Sequence, residues 1–438
     1  MMKREKLGII ADDLTGSNDS GIQLAKKGLR SSVIFDINPF AVRNLDDDVV
    51  VIDTDSRAIP IIESYEVTRR AAMFFKEHGF THIYKKVDST LRGNLGVEIQ
   101  ATEEVFEPEF CIIAPAFPRI GRTTRDGIHY LHGTPLSETE IARDPKCPVT
   151  DSNISNLLRS QVSVEIGVVQ TAMLGNDREA WEAELTKWKT AGITWLIFDA
   201  YEDIHLEWIS TYVPKLTKKV VWVGSAGLAE YLPESLNVNK SVLQDQVVEK
   251  ATRVVTVSGS LSAITKKQIS RLLQTDGMRA VEIDPLAVFE TGGKWGYQKK
   301  TYVDQIIAIY DEGNNAMIYV DSSQENRLKT AVRGKELGIS ATEISNRISR
   351  GLGEIAGEVI KYGGVDGLVL IGGDTAKEVC RHIGASGFQL LKEIEPGIPL
   401  GKMIGEYNLL TITKAGAFGT EQSLVHAVKQ LKGVCENV

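Results

Sequence analysis

Short apolar runs rich in Val, Ile and Leu alternate along the chain with longer segments whose apolar residues recur at helical spacing. That alternation predicts mainly parallel sheets with helices on both faces. Gly8–Ile10 reads as a buried strand, and residues 18–27 as a helix ended by Gly28. Further strands are expected at Val33–Phe35, Val49–Ile52, His82–Tyr84, Cys111–Ala114, Val164–Val169, Trp195–Phe198 and Val220–Val223, with a helix over Ile62–Glu77. The pattern then lapses into Pro, Asn, Ser and charged residues, and restarts with strands at Arg253–Val257, Ala280–Ile283, Ala316–Val320, Gly367–Ile371 and Leu410–Thr413 and a long helix over Thr342–Tyr362. The fold class this predicts is α/β: two α/β/α domains, residues 1–235 and 251–438, joined by a linker at 236–250, with the active site in the cleft between them.

Composition narrows the functional classes. At 438 residues, 42% hydrophobic and 25% charged, the chain has the balance of a globular protein of two or three domains. A net charge of −8 argues against nucleic-acid or anionic-membrane binding, which needs a basic face. The N-terminus runs Met-Met-Lys-Arg-Glu-Lys straight into a strand, with no leader pattern and no apolar run long enough to span a bilayer, so a cytoplasmic location is expected. Cys111, Cys147, Cys380 and Cys435 are far apart and form no CxxC, so neither disulfides nor structural zinc are expected. Homo-oligomerisation is left open.

In doubly wound sheets, ligands bind beyond the carboxyl ends of the strands. After the first strand come Asp12-Asp13-Leu14-Thr15-Gly16, an acid pair before a turn into a helix. A carboxylate there can take a hydroxyl proton or order Mg2+. Neighbouring side chains of an extended segment point opposite ways, so Asp12 is expected to face the ligand and Asp13 to cap the helix. After later strands come Arg57 and the segment Lys85-Lys86-Val87-Asp88-Ser89-Thr90-Leu91-Arg92, whose cations suit a carboxylate ligand. Asp88 and Asp374 are rivals for the acid's role.

The second half carries three Gly-rich turns between strand and helix: Ser258-Gly259-Ser260, Gly372-Gly373-Asp374-Thr375, and Lys414-Ala415-Gly416-Ala417-Phe418-Gly419. Glycine lets backbone approach a phosphate, and a helix N-terminus offers free N–H groups. The stretch Gly397–Met403 superficially resembles a P-loop, but it is one residue short and has Met where Ser or Thr is needed. Gly351-Leu352-Gly353 follows no strand, which fails the dinucleotide pattern. His129 and His132 lack a Cys or carboxylate neighbour to form a zinc site. Metal ligands are not assigned.

Ile-Ala-Asp-Asp-Leu-Thr-Gly-Ser-Asn-Asp near the start, the central Lys-Lys-Val-Asp-Ser-Thr-Leu-Arg-Gly-Asn, and the later Gly-Gly-Asp-Thr-Ala and Lys-Ala-Gly-Ala-Phe-Gly resemble the four-carbon acid sugar kinase family, in the family's order, from residue 7 to about 430. The resemblance implies ATP- and Mg2+-dependent phosphorylation of the terminal hydroxyl of threonate, erythronate or 3-oxo-tetronate. It implies a sugar-acid-binding first domain and a nucleotide-binding second domain. Carried over by position, Asp12, Arg57 and Lys85, Lys86, Val87, Asp88 and Ser89 look like substrate contacts; Arg92 is added from its charge. Ser258, Gly372, Gly373, Asp374, Thr375 and Gly416 look like ATP contacts. Two other readings stand beside it: an NAD-dependent sugar-acid dehydrogenase, which the missing GxGxxG disfavours, and a non-catalytic sugar-acid or nucleotide sensor.

Overall fold

The computed structural model describes residues 5–37, 46–144, 146–238, 250–291 and 293–434. The chain divides into two compact units, residues 1–35 with 45–243, and residues 36–44 with 244–438. Residues 239–249, most of the expected linker, lie outside the described residues, as does Cys435.

The first unit is built on eight parallel strands: β1 (Leu7–Ala11), β2 (Ser31–Ile34), β3 (Val49–Asp53), β4 (His82–Lys86), β5 (Phe110–Ala114), β9 (Ile166–Val169), β10 (Trp195–Phe198) and β11 (Val220–Gly224). Their order is β2-β3-β1-β4-β11-β5-β10-β9. Between β5 and β9, three short antiparallel strands, β6 (Arg122–Arg125), β7 (Ile128–Leu131) and β8 (Thr134–Pro135), form a separate small sheet. The central strands are buried on both faces, as parallel sheets covered by helices must be. The order reverses direction at β1, because β2 and β3 lie to one side and β4 to the other. Register places Ala11 abreast of both Asp53 and Lys86, so the loops leaving β3, β1 and β4 emerge side by side.

The helix after β1 begins earlier than its composition suggests, spanning Leu14–Lys26. Thr15, Gly16 and Ser17 read as loop residues. Asp13, in an extended conformation, nevertheless caps the helix by accepting the Gly16 N–H at 2.8 Å.

The second unit contains β12 (Val254–Ser258), β13 (Met278–Ile283), β14 (Asn315–Val320), β15 (Gly367–Ile371), β16 (Gly387–Glu395), β17 (Ile398–Ile404) and β18 (Leu410–Lys414). The order is β13-β14-β12-β15-β18-β17-β16, parallel through β18 and then antiparallel. The stretch that superficially resembles a P-loop is strand β17 of this hairpin, turned at Gly397, whose φ of 74° is left-handed. Ser258, Ile371 and Lys414 stand abreast at the ends of β12, β15 and β18. The three Gly-rich turns therefore leave one edge of the sheet together. Among the described residues, no helix is long and apolar enough to cross a membrane, and Cys111, Cys147 and Cys380 are free thiols.

A buried ion pair supports the tips of the first unit's strands. Lys85, with 0% of its side chain exposed, lies 2.9 Å from Glu98 of the helix Leu95–Phe106. The Glu98 carboxylate also accepts the hydroxyls of Ser56 at 2.5 Å and Ser64 at 2.9 Å, while the Lys85 ammonium donates to the carbonyls of Lys86 and Ile10. Removing one partner leaves an uncompensated buried charge, which costs about 3–5 kcal/mol. Glu98→Leu is therefore expected to destabilise the chain by that amount in urea melts, and Lys85→Met/Glu98→Leu to recover much of it. A double variant as unstable as the sum of the singles would show that the pair is not the unit of stability.

Candidate active site

The loops after β3, β1 and β4 bring together four of the charged residues singled out in the sequence. The backbone carbonyl of Asp12 accepts the N–H groups of Ser56 and Arg57, which docks the β3 loop on the tip of β1. The Arg57 side chain then turns back onto the acid pair. Its Nε donates to Asp12 at 2.7 Å, and its Nη2 donates to Asp12 at 3.1 Å and to Asp13 at 2.7 Å; Asp88 lies 4.0 Å away. Gly93 holds Arg57 from behind. Its φ is 105°, and an added Cβ would sit 3.0 Å from the Arg57 Cγ and 3.2 Å from its carbonyl oxygen.

This geometry separates the two aspartates in a way their spacing does not. Both Asp12 oxygens are gripped by Arg57, and its side chain is 3% exposed, against 23% for Asp13. Asp13 uses only Oδ1, for the Gly16 N–H and Arg57; its Oδ2 makes no hydrogen bond among the described residues. Asp13 caps the helix as expected, and because a cap needs one carboxylate oxygen its other oxygen is left over, whereas both oxygens of Asp12 are engaged. Burial opposes the charge of both groups. Facing Arg57 and two lysines, Asp12 is held below the usual carboxylate range, whereas Asp13 beside the charged Asp12 is pushed above it.

The β4 segment divides into frame and face. The Lys85 side chain, expected among the substrate contacts, is enclosed and paired with Glu98. Val87 is likewise buried, its N–H bonded to Gly224 and its carbonyl accepting the Lys86 ammonium at 2.9 Å. That single carbonyl is the only partner of Lys86 among the described residues, and an added Cβ on Gly16 would lie 2.6 Å from its Nζ. Lys86 therefore sits under the turn that follows the aspartates, with donors to spare. Asp88 accepts from Thr90 and from Arg92, both at 2.6 Å, and despite its burial Arg57 and Arg92 hold it well below the usual range. Arg92 also donates to Asp144 at 3.1 Å. Both arginines are thus already matched to acids, and Lys86 is the cation of the cluster without one. The carbonyl of Ser89 accepts the Nε2–H of His129 at 3.0 Å, and the Nδ1 of that ring accepts from Thr124. Burial pushes the His129 imidazole down to about 4, so it stays neutral and acts as a brace. Sequence spacing gave no sign of this role. A cavity of about 460 Å³ in this unit shares Arg57 and Gly93 with the cluster and is walled further by loop residues around them and by the segment 146–151, but neither Asp12 nor Asp13 lines it.

In the second unit the three Gly-rich turns interlock. An added Cβ on Gly259 would lie 2.5 Å from the Thr375 hydroxyl, and one on Gly416 would collide with the Ser260 hydroxyl. Ser258 and Thr375 are buried, Gly372 has a φ of 99°, and Asp374 is exposed in the first turn of the helix Gly373–His382. The first N–H groups of that helix have no intrahelical partner. All six residues expected to contact nucleotide lie in or beside these turns.

In the sequence Lys414 reads only as the start of the third turn, and its side chain organises that turn. Its buried ammonium donates to the carbonyls of Ala415 at 2.9 Å, Gly416 at 3.1 Å and Phe418 at 3.0 Å. Thr265 also donates to the Gly416 carbonyl, and Gln268 to those of Phe418 and Thr420. With the carbonyls drawn inward, the N–H groups of Gly416, Ala417 and Gly419 make no hydrogen bond among the described residues. Free backbone amides gathered in a turn have the chemistry to receive an anion. Burial lowers the Lys414 ammonium to about 8, with the Glu395 carboxylate opposing, so it remains charged at neutral pH. Charge-assisted bonds of this kind contribute about 1.5–3 kcal/mol each. In Lys414→Met, amide exchange at Phe418 and Thr420, whose N–H groups bond to the Ala415 carbonyl and the Ser423 hydroxyl, is expected to rise at least about tenfold, with the rest of the unit unchanged. Unaltered exchange there would show that the loop holds its own shape.

Residues 7–232 match the family model of a sugar-binding N-terminal domain, and residues 255–424 that of a nucleotide-binding C-terminal domain. The chain is 32% identical to a D-threonate kinase of Salmonella typhimurium over 97% of both chains. It is 30% identical to a D-erythronate kinase of Heliobacterium modesticaldum, over 97% of this chain and 96% of the relative. It is 28% identical to a 3-oxo-tetronate kinase of Haemophilus influenzae, over 96% of this chain and 98% of the relative. A solved Haemophilus influenzae structure of the DUF1537 family superposes with a TM-score of 0.76 at 25% identity, covering 97% of this chain and all of that one. With two domain models in succession and relatives that align from end to end, the chain belongs to the four-carbon acid sugar kinase family.

Proposed function

We propose that this protein is an ATP-dependent kinase that phosphorylates the terminal, C4 hydroxyl of a four-carbon sugar acid such as D-threonate, D-erythronate or 3-oxo-tetronate, in the cytoplasmic catabolism of such acids. The observation that carries the reading is the pairing of two unlike strand-tip sites on one chain. One is the Asp12–Asp13–Arg57–Lys86 cluster, and the other is the set of free amides gathered by the turns after β12, β15 and β18. The first suits a hydroxy acid and the second a polyphosphate. The relatives are named as kinases of three different tetronates, and nothing supports a dehydrogenase.

Phosphoryl transfer asks little covalent chemistry of a protein. It needs positioning, charge neutralisation and a group to take the hydroxyl proton. In this reading the Lys86 ammonium and the Arg57 Nη1, which makes no hydrogen bond among the described residues, hold the carboxylate of the acid. Asp13 Oδ2 accepts the proton of the attacking hydroxyl, helped by a pKa raised toward the working range. The Gly372–Thr375 helix start and the Gly416–Gly419 amides receive the nucleotide phosphates. Charge neutralisation on those phosphates would be supplied by magnesium. The exposed Asp374 carboxylate beside the turns fits the one- or two-carboxylate coordination it prefers, although among the described residues no group of three or more metal-ligating side chains is assembled.

The reaction is tested by incubating the protein with ATP and Mg2+ across a panel of four-carbon acids. ADP release with one or more of them, and phosphorus coupling at C4 of the product by NMR, is the expected result. Phosphate on C2 or C3, turnover of the uncharged polyol equal to that of the acid, or no turnover of any tetronate would defeat the reading.

The roles of the two aspartates are separable. Asp13→Asn keeps a good helix cap but loses the basic oxygen, so kcat should fall about 10²–10⁴-fold with ATP affinity and melting little changed. Because the base works deprotonated and its pKa is raised, wild-type kcat should fall as pH drops through that raised value, and this acid limb should vanish in the variant. Asp12→Asn instead weakens the grip on Arg57 and should lower melting. If Asp12→Asn alone abolishes turnover while melting normally, the roles are reversed.

A further inference from the structure

Acids and arginines alternate from the helix cap of the first unit out to a loop that no sequence motif marks. Asp13 accepts from Arg57 at 2.7 Å. Asp88 turns Oδ1 toward Arg57 at 4.0 Å and accepts from Arg92 through Oδ2 at 2.6 Å. Arg92 Nη1 then donates to Asp144 at 3.1 Å, 52 residues further along the chain.

Asp144 divides its carboxylate between two tasks. Oδ2 takes Arg92. Oδ1 accepts the backbone N–H groups of Lys146 and Cys147 at 2.9 and 2.8 Å, the local turn that an aspartate favours. That turn presents the Cys147 thiol, which donates to the backbone carbonyl of Arg57 at 3.3 Å. The loop therefore reaches Arg57 by two routes: through Arg92 and Asp88 to its guanidinium, and through Cys147 to its backbone.

Both routes answer a physical need. Arg57, Gly93 and Cys147 border the cavity of about 460 Å³, so close packing does not fix the Arg57 backbone on that side and polar bonds must. Asp88 is also a rival for the Arg57 guanidinium. With Arg92 on its other oxygen it stays 4.0 Å away, and Arg57 keeps its grip on Asp12 and Asp13. The turn that carries Asp88 and Arg92 is strained, since the buried Leu91 between them has a left-handed φ of 58°, and the Asp88–Arg92 bond spans it.

We infer that Asp144 is a positioning residue for the acid cluster: it holds Arg92 on Asp88 so that Arg57 stays aimed, and through Cys147 it fastens the Arg57 backbone beside the cavity. Arg92 then belongs to this frame and not to the ligand. The inference rests on the kinase reading for what Arg57 binds, and adds to it the loop that aims the arginine.

The test separates charge from turn. Asp144→Asn keeps an oxygen for the two N–H groups but loses the charge facing Arg92. Cys147→Ala loses the donor to Arg57, and Cys147→Ser supplies another. On the full chain, with the tetronate that wild-type protein turns over best, KM for the acid should rise at least about fivefold in Asp144→Asn and in Cys147→Ala, while KM for ATP, kcat and melting change little, because lost ground-state binding appears in KM. Cys147→Ser should bring KM back to the wild-type value. Hydrogen exchange on the protein without ligand gives a readout independent of turnover: the N–H groups of Ser56 and Arg57, bonded to the Asp12 carbonyl, should exchange at least about fivefold faster in the same two variants. An acid KM unchanged in folded Asp144→Asn, an equal rise in KM for ATP, or unaltered exchange at Ser56 and Arg57 in both variants overturns the positioning role. Wild-type protein that phosphorylates no tetronate refutes the kinase reading instead, and the exchange measurement then decides the positioning role by itself.

Discussion

The buried Lys85–Glu98 pair is the constraint on which the first unit's site depends. A lysine with no exposed side chain and a glutamate with 2% must satisfy each other, since neither can reach water. Their remaining hydrogen bonds then dictate local structure. Glu98 fixes Ser56 and Ser64, so the loop carrying Arg57 and the start of the helix Ile61–Glu77 are tied to the helix Leu95–Phe106. Lys85 fixes the carbonyls at the tips of β1 and β4. Arg57 can grip Asp12 and Asp13 because its backbone has been placed from below by these bonds and from behind by Gly93.

The same device recurs in the second unit with different chemistry. A lysine at a strand end turns its ammonium onto carbonyls of the loop that follows: Lys86 onto Val87, Lys414 onto Ala415, Gly416 and Phe418. A strand-to-helix turn must dispose of carbonyls and amides that no ladder satisfies. A cation beneath the turn takes the carbonyls, and the amides are left for an anion above it. In the proposed function one solution serves both structure and binding, and it lets a chain of net charge −8 offer local surfaces suited to acids and phosphates.

Within the acid cluster, one arginine serving two aspartates splits their properties. Asp12, with both oxygens bound, is stabilised as the anion and anchors the arginine. Asp13, with one oxygen free and a charged neighbour, is the more basic and the more accessible. Like-charged neighbours with unequal access to a shared cation are driven apart in pKa, which leaves one as a fixed counter-ion and the other more basic.

Much of the architecture follows from local pattern. Short continuous apolar runs rich in β-branched residues fit strands buried on both faces, and β10 and β15 fall where those runs lie. Glycines between strand and helix marked the three turns of the second unit, and the family motifs identified the chemistry. The antiparallel hairpin β16–β17 was not legible, because its glycines and charged residues imitate a loop and its strand character comes from pairing with β18. Nor was the division of labour among charged residues. Lys85 and Lys86 are adjacent and chemically identical, yet one is enclosed against Glu98 and the other lies beneath the turn at Gly16. Sequence determines which groups are present and at which strand tip. Which of them are neutralised, which keep a free oxygen or donor, and how His129 or Lys414 braces a loop depend on partners distant along the chain, because the field at a buried charge is set by whatever the fold packs within a few ångströms of it.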